Sequence, residues 1–397
     1  MIDVAAARRR FPALSAAGPD GRPALHLDAP GGTQLLDAAI EAMASYLREG
    51  TANQHGAFAT SERTDALCAD VRGKVGAFLG SDPEGVVFGP NMTTLAFHLA
   101  DALGEGLGEG DELVCTRLDH DANVTPWVAA AERAGASVRF VELDAATGTL
   151  DLSTLDSAVT ERTRLIAFPG ASNALGTLVD PAPFVEAARA VGALTFLDAV
   201  HAAPHVGLDR ERMGVDVIAC SPYKFFGPHA GLLAADPELL ARLHPAKLRP
   251  APDEGPERWQ TGTASFEAIA GIGAAVQYLQ KVGMEAIRDH ERALSQRFLD
   301  GLDGLDHVRL HGPRDAAQRT PTFAVTVEGW KPEAVAETFA EQGIHVWSGL
   351  YYAVEPMRAL GLLDAGGAVR IGFVHYHDEQ DGDRALDALE QLANRQA

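Results

Sequence analysis

Residues 215–228 read VDVIACSPYKFFGP, an apolar run that leads into a lysine, two phenylalanines and a glycine turn. The run 215–219 is typical of a buried strand. A lysine just beyond such a strand can be partly desolvated, and desolvation lowers the pKa of an amine and lets it form a Schiff base with an aldehyde. By itself Lys224 would more often be a solvated surface group, so its role depends on the rest of the chain.

Short apolar runs alternate with helical stretches from about residue 85 onward. Helical stretches such as 123–134 and 183–191 end near Gly135 and Gly192, as helices often do. The alternation predicts an α/β fold with a mostly parallel sheet, covered on both faces, that binds ligands at the carboxyl ends of its strands. The predicted strands are residues 85–88, 111–115, 137–141, 164–168, 194–197 and 215–219.

The alternation stops at residues 248–256, which are rich in proline and charge and predict a loop. A long helix follows at 266–282, and the rest of the chain predicts a small α+β domain. We therefore expect an N-terminal segment, 1–25, that packs with the small domain, a large domain, 26–265, and the linking helix with the small domain, 266–397. The elements predicted after the linking helix are helices 285–302 and 332–342, strands 322–327, 344–347 and 368–372, and a helix from Asp378.

The composition is that of an ordinary globular protein, with 46% hydrophobic and 22% charged residues among 397. Its 55 acidic and 33 basic residues give a formal charge of -22, which repels nucleic acid and anionic lipid. Cys68, Cys115 and Cys220 lack metal-ligand spacing and suit a reducing compartment. No segment reaches the roughly 20 apolar residues that span a bilayer. We expect a cytoplasmic protein with neither nucleic acid nor membrane as a partner.

Polar clusters follow several of the predicted strands. Asp198 offers a carboxylate that could keep a cofactor's pyridinium charged or could cap the next helix. Residues 89–94 offer amides and hydroxyls for a phosphate at a helix N-terminus, although an ordinary helix cap would look the same. Residues 118–123 offer an imidazole that could stack on an aromatic ring, and 171–173 follow another strand. Together with Lys224, these clusters predict one cofactor site at one edge of the sheet.

Seven segments, in order along nearly the whole chain, resemble the class V aminotransferase branch of the fold type I enzymes that use pyridoxal 5'-phosphate (PLP). The resemblance is to the cysteine desulfurase-like subgroup. It implies the PLP-dependent transferase fold type I, with a mostly parallel seven-stranded sheet in the large PLP-binding domain and a smaller α+β C-terminal domain. The segments are 27–33 LDAPGGT, 53–56 NQHG, 118–127 LDHDANVTPW, 172–176 SNALG, 198–201 DAVH, 221–229 SPYKFFGPH and 261–263 TGT.

The resemblance implies roles for the residues around the cofactor rings. Lys224 is similar to the lysine that forms the internal aldimine and then shuttles protons. Asp198 is similar to the partner of the pyridine nitrogen, and His120 to the ring that stacks on the cofactor. His201 and Asn173 occupy the positions near its phenolic oxygen. The catalytic residues implied are therefore Lys224, Asp198, His120 and His201.

The resemblance also implies how the phosphate is held. Thr93, Thr94 and Ser221 occupy phosphate-contact positions, and Tyr223 is expected to join them. Thr263 is similar to a residue that reaches the phosphate from the neighbouring subunit. A homodimer with shared active sites is therefore implied.

Substrate contacts are implied in the C-terminal domain. Arg370 is similar to the arginine that grips a substrate carboxylate as a bidentate pair. Three further residues, His55, Trp347 and Tyr352, are candidates for setting specificity, since they lie in segments that border the site in the family.

The chain departs from the desulfurase pattern at the loop that should carry the sulfur-accepting cysteine. Residues 348–355 read SGLYYAVE and contain no cysteine, and a phenol near its ordinary pKa does not replace a thiolate. Trp347 stands where many desulfurases have a second arginine, and Gln260 where a glutamate commonly precedes Thr-Gly-Thr. These changes argue for a different or larger substrate.

The favoured interpretation is a PLP-dependent carbon–sulfur β-lyase that acts on an amino acid, such as a cysteine conjugate, through an aldimine and a quinonoid. Transamination and epimerisation, which occur in class V, share the first steps and remain alternatives. A metal site of His201 and His205 with His120 or His229 is weakened by Pro204. A PLP-binding regulator without enzyme activity would need a DNA-binding module, and no segment suggests one.

Overall fold

A computed structural model describes residues 2–17, 21 and 23–394. Within them the strands are β1 (Leu25–His26), β2 (Val86–Gly89), β3 (Glu112–Thr116), β4 (Ser137–Val141), β5 (Leu143–Asp144), β6 (Thr149–Leu150), β7 (Thr163–Pro169), β8 (Leu194–Asp198), β9 (Val217–Cys220), β10 (Gly231–Ala235), β11 (Val308–His311), β12 (Thr322–Val327), β13 (Ile344–His345), β14 (Trp347–Gly349) and β15 (Ala368–Gly372).

The α-helices of the described residues come between these strands and at both ends. They are α1 (Val4–Arg8), α2 (Asp37–Arg48), α3 (Ala59–Leu79), α4 (Met92–Gly104), α5 (Thr125–Ala134), α6 (Leu155–Ala158), α7 (Ala182–Val191), α8 (Arg210–Met213), α9 (Pro237–Arg242), α10 (Phe266–Val282), α11 (Met284–Leu302), α12 (Pro332–Glu341), α13 (Val354–Ala359) and α14 (Glu379–Asn394).

Seven strands form the central sheet in the order β2-β10-β9-β8-β7-β3-β4. The pairs β3–β4, β3–β7, β7–β8 and β8–β9 are parallel, whereas β10 runs antiparallel to both β2 and β9. The predicted seven-stranded, mostly parallel sheet is therefore confirmed. The individual run that became β10 was missed, because its sequence GLLAA has no β-branched residue and resembles a buried helix segment as much as a strand.

Both faces of this sheet are covered by helices. Successive residues of a strand point to opposite sides, so in β9 Val217 and Ala219 pack with one core while Ile218 and Cys220 pack with the other. Helices α4, α5 and α9 contribute to the first core, and α3, α7 and α10 to the second. The continuous apolar character of the strands follows from this double coverage.

The C-terminal part has its own antiparallel sheet, in the order β11-β12-β15-β14, packed against α11, α12 and α14. The prediction of one strand at 344–347 was wrong. Ile344 and His345 instead pair in parallel with Leu25 and His26, while Trp347 begins a separate strand beside β15. Strand β11 was also missed. The N-terminal segment thus joins the C-terminal part through backbone hydrogen bonds; the domain boundaries at 25/26 and 265/266 stay predictions.

A buried guanidinium ties the two parts together. Arg319 stacks on the ring of Phe323 at 4.2 Å and donates to the carbonyl oxygens of Pro313 and Thr322 and, at 3.1 Å, to that of Leu175 from the large domain. Burial lowers its pKa to about 9, which still leaves it charged at neutral pH. This cation therefore links the turn after β7 to the backbone that flanks and begins β12. No helix in the described part of the chain is long and apolar enough to cross a bilayer.

Candidate active site

The predicted polar clusters come together at the carboxyl ends of the parallel strands. Asp198 is the last residue of β8, and Lys224 closes a short 3-10 turn, Pro222–Lys224, just after β9. His120 follows β3, Asn173 follows β7 and Thr93 follows β2. All five line one cleft, so the prediction that they converge is confirmed.

Lys224 lines this cleft and is partly buried. Its Nζ donates to the carbonyl oxygen of Pro30, a residue of the segment that follows β1. Burial, followed by the nearby positive charge of Arg370, lowers the pKa of the amine to about 7, against an opposing effect from Asp198. The neutral, nucleophilic form of the amine is therefore accessible at neutral pH.

Asp198 lies on the same cleft, and burial raises its pKa to about 6. One carboxylate oxygen accepts the backbone N–H of Val200 at 2.9 Å, and this bond, with the charge of Lys224, favours the ionised form. The carboxylate is therefore held by a hydrogen bond within its own turn and also lines the cleft. A buried carboxylate of this kind is stabilised by any cation that enters beside it.

His120 is held by a buried network that the sequence interpretation did not identify. Asp119 accepts from Thr116 Oγ1 at 2.5 Å and from Asn123 Nδ2 at 2.7 Å, and Asn123 Oδ1 accepts from Trp127 Nε1 at 3.0 Å. Two of these contacts join residues four apart, and that spacing is the signal by which the sequence could have revealed them. The network fixes the turn between β3 and α5 and so fixes where the imidazole stands.

The imidazole of His120 is neutral. Its Nδ1 accepts the N–H of Ala122 at 3.0 Å, and burial, aided by the charges of Lys224 and Arg370, lowers its pKa to about 4. Its ring also lies 5.6 Å from that of Tyr352. An uncharged ring face at the cleft can stack on a planar ligand.

His201 and Asn173 line the cleft between Asp198 and the C-terminal sheet. The Nε2 atom of His201 lies 3.0 Å from Thr322 Oγ1 and 3.2 Å from Thr320 Oγ1, and burial lowers its pKa well below the usual value. Asn173 donates its amide to the carbonyl of Tyr351 at 3.0 Å, while its Oδ1 is buried with no partner in the described chain. An unpartnered buried acceptor beside an open cleft suits a ligand that donates a hydrogen bond.

The predicted phosphate residues divide between clefts. Ser221 and Tyr223 line the cleft with Lys224 and Thr93, whereas Thr94 faces a neighbouring cleft. The N–H of Thr94 donates to Asn91 Oδ1 at 2.8 Å, so Asn91 caps α4. The ordinary helix cap considered from the sequence therefore exists, and a phosphate contact of Thr94 stays a prediction.

Two predicted residues do not reach Lys224 within one chain. His55 and Thr263 line a separate cleft together with residues of the 248–252 loop, and Thr263 also lines the cleft that Thr94 faces. His55 is held there by Glu257, whose carboxylate lies 3.1 Å from its Nε2. Their roles at the site stay predictions, and for Thr263 the predicted role is a contact made from the neighbouring subunit.

Arg370 lies on β15 in a second compartment that opens from the first. Its guanidinium stacks on the ring of Tyr351 at 4.4 Å and donates from Nη1 to the carbonyl of Asn173 at 2.9 Å, while its buried Nε has no partner in the described chain. Burial lowers its pKa to about 10, so it keeps its charge at neutral pH. The two compartments share His120, Asn173, Tyr223 and Lys224, and the second is also lined by Trp347 and Tyr352.

The cysteines lie elsewhere. Cys68, Cys115 and Cys220 are buried in the cores, and none lines either compartment. Burial raises the pKa of all three thiols, to about 11 for Cys68. They are therefore inert packing residues, and the site is not built around a thiolate.

The two histidines considered as metal ligands, His201 and His205, form other contacts. His205 Nδ1 lies 2.8 Å from the buried Glu291 carboxylate, and His201 contacts threonine hydroxyls. Among the described residues, the one group of three metal-ligand atoms within 4.8 Å of one another is His26, Asp28 and His345, away from these histidines.

Comparison with known proteins decides the family. The family model of class V aminotransferases matches residues 25–384. The chain belongs to the class V aminotransferase family. It is thus related to enzymes that use PLP, and the predictions of an enzyme and of its cofactor are confirmed.

Similar proteins span the chain almost completely. A probable cysteine desulfurase of Streptomyces coelicolor is 30% identical, over 99% of this chain and 98% of that protein. One from Pseudomonas putida is 32% identical, over 97% of both. The apo structure of a cysteine desulfurase from Thermococcus onnurineus NA1 superposes with a TM-score of 0.90 at 27% identity, covering 97% of this chain and 98% of that one. The resemblance to the desulfurase-like subgroup is confirmed.

Proposed function

We propose that this protein is a PLP-dependent carbon–sulfur β-lyase acting on S-substituted cysteine. Elimination breaks the Cα–H and Cβ–S bonds and releases a free thiol and 2-aminoacrylate, and the imine tautomer of the latter takes up one water to give pyruvate and ammonium. The observation that carries the proposal is a cleft that holds the Lys224 amine and the Arg370 guanidinium without any thiol.

The cleft fits PLP by the chemistry of its walls. Asp198 is a buried carboxylate that a protonated pyridine nitrogen would stabilise, and the neutral ring of His120 suits stacking on a flat heterocycle. The unpartnered Oδ1 of Asn173 and the imidazole of His201 offer hydrogen bonds to a phenolic oxygen or its proton. Thr93, Ser221 and Tyr223 offer hydroxyls for the phosphate. The bound cofactor supplies an electron sink for the bonds at the substrate Cα.

Lys224 has the properties that the proton transfers require. Its Nζ is nucleophilic because the pKa lies near 7, and the same pKa lets the amine accept a proton from the substrate Cα and return one to the departing sulfur. Its hydrogen bond to the carbonyl oxygen of Pro30 holds the amine in position in the cleft. Lys224 alone can therefore carry out both proton transfers of the elimination.

Arg370 is positioned to orient the amino-acid end of the substrate. Its ring stack and its bond to Asn173 hold the guanidinium plane, and its unpartnered Nε leaves a donor for a carboxylate. A carboxylate bound there places the substrate between the two compartments. The bond that breaks then faces Lys224, and the sulfur substituent faces Trp347 and Tyr352.

The loop 348–355 has no cysteine thiol, and this distinguishes the proposed lyase activity from the cysteine desulfurase activity in the names of the relatives. Those proteins are cysteine desulfurases by name. In this chain the loop 348–355 has no cysteine, and Tyr351 and Tyr352 occupy it. A phenol with a raised pKa, as for Tyr351, does not accept sulfur as a thiolate would. The sulfur therefore leaves with its own substituent.

We also propose that the functional unit is a homodimer. Thr263 and His55 share a cleft that is separate from Lys224 in one chain, and a second copy would bring them to the phosphate and the substrate. Sedimentation of the protein, with and without PLP, tests this. A monomer that is fully active would refute it.

The lyase is tested with purified protein and PLP on cysteine and a panel of S-substituted cysteines. We expect pyruvate, ammonium and thiol in equal amounts, and none of them from Lys224→Ala. Amino transfer to a keto acid, or loss of optical activity without thiol release, would instead assign the protein to the transaminase or epimerase branch.

A further inference from the structure

Two large aromatic side chains that line the substrate compartment, here called the aromatic wall, are unusually exposed. Trp347 is 52% exposed and Tyr352 is 75% exposed, and both line the space that also contains Lys224 and Arg370. Apolar surface of this size gains free energy when a ligand covers it. The wall therefore has the character of a binding surface.

The loop that carries Tyr352 is held rigidly. The carbonyl of Tyr352 accepts the N–H of Asp121 at 2.7 Å, and that of Tyr351 accepts the amide of Asn173 at 3.0 Å. Both tyrosines have φ of 55°, in the left-handed region that non-glycine residues seldom adopt. Such backbone strain persists where surrounding contacts impose it. The backbone of the tyrosine pair is thus set in place before any substrate arrives.

Trp347 is fixed from the other side. A Cβ added to Gly31 would overlap Trp347 Nε1, so the indole fills the space that a side chain at 31 would need. Gly31 follows Pro30, whose carbonyl holds Lys224. The indole therefore has a defined position relative to the reacting amine.

The compartment beyond Arg370 and Lys224 is uncharged. Its remaining lining consists of aromatic, aliphatic and small polar side chains, and His120 is neutral because its pKa is about 4. A substituent with a second carboxylate or ammonium would lose its hydration there without gaining a partner. Neutral substituents avoid that cost.

We propose, on the basis of the lyase function above, that Trp347 and Tyr352 form a subsite for a neutral aromatic substituent on sulfur. The substrate class is then S-benzyl- or S-aryl-cysteine, and the free product is an aromatic thiol. The Cα carboxylate binds Arg370, and the aromatic group packs on the wall.

The test compares kcat and KM for S-benzyl-, S-methyl- and S-carboxymethyl-cysteine in the holoenzyme. We expect kcat/KM to be about 10- to 100-fold higher for the benzyl than for the methyl substrate, and lowest for the carboxymethyl one. Trp347→Ala and Tyr352→Ala should raise KM for the benzyl substrate about tenfold with little change in kcat, because the subsite lies away from the reacting bond. The methyl substrate should change less than threefold.

Leu152→Ala is the control, since Leu152 is an exposed apolar side chain, at 45%, that lines neither compartment nor the cleft of His55 and Thr263. It should leave every constant unchanged. Thiol release without preference for the benzyl group, or a loss in the wall variants that is equal for benzyl and methyl, overturns the subsite and leaves the lyase standing. No thiol release from any conjugate overturns both.

Discussion

Replacing Arg370 by lysine keeps a positive charge in the substrate compartment but removes the planar fork. The wild-type guanidinium is held by the Tyr351 ring at 4.4 Å and by the Asn173 carbonyl at 2.9 Å, with Nε left for a ligand. A lysine cannot stack in the same way or donate two parallel bonds to a carboxylate. The expected result is weaker binding of the substrate carboxylate in both ground and transition states.

The size of the effect follows from the bonds lost. One charge-assisted hydrogen bond contributes about 1.5–3 kcal/mol, and each 1.36 kcal/mol corresponds to about tenfold in rate. Arg370→Lys should therefore lower kcat/KM by about 10- to 150-fold. The assay is thiol release from an S-substituted cysteine and from its carboxamide, which lacks the negative charge.

The carboxamide distinguishes a loss of carboxylate binding from a general distortion of the site. If Arg370 binds the carboxylate, the variant should lose little on the carboxamide, which never formed the ion pair. An equal loss on both substrates would refute the assignment and indicate a general distortion of the site. Arg212→Lys, at a side chain that is 87% exposed, is the control and should match the wild type.

Three further outcomes are expected. The pKa of Lys224 is lowered to about 7, so the rate of PLP loading should rise as the pH rises from 6 and should level off by about pH 8. Absorbance measures this rate, and a rate that stays unchanged across that range would contradict the prediction. Gly31→Ala should push the Trp347 indole aside and raise KM for bulky conjugates, and crystals showing the indole unmoved would argue otherwise. Glu291→Leu keeps the side-chain volume but removes the acceptor of His205, so it should lower the free energy of unfolding by about 1–3 kcal/mol; urea denaturation measures this, and an unchanged midpoint would count against the bond.

Much of the large domain follows from local pattern. Short apolar runs separated by helical stretches have few arrangements open to them, and parallel strands bring their carboxyl ends to one edge. That is why the amino-acid sequence alone suffices to place Lys224, Asp198 and His120 in one cleft. The exception, β10, has a composition that does not discriminate between strand and helix.

The substrate side was less predictable because it depends on distant pairing. Tyr352 was named from its loop, but the ring beneath Arg370 belongs to its neighbour Tyr351, a contact set by the register of β14 against β15. Likewise, the single apolar run at 344–347 divides into two strands, one beside Leu25 and one beside β15. The point of division depends on where the fold places Leu25. Local pattern contains no information about either choice.

Arg319 joins the turn after β7, at Leu175, to backbone of the C-terminal part, at Pro313 and Thr322, through one buried cation. Separating the two parts would take away the Leu175 carbonyl, one of the three that this buried guanidinium contacts, at a cost of about 1.5–3 kcal/mol. Substrate capture by a large hinge motion is therefore disfavoured, and access should depend on diffusion through a mouth that stays open. Turnover should then respond little to osmolytes that favour compaction, and conjugates of different lengths should be able to project into solvent while their amino-acid ends react.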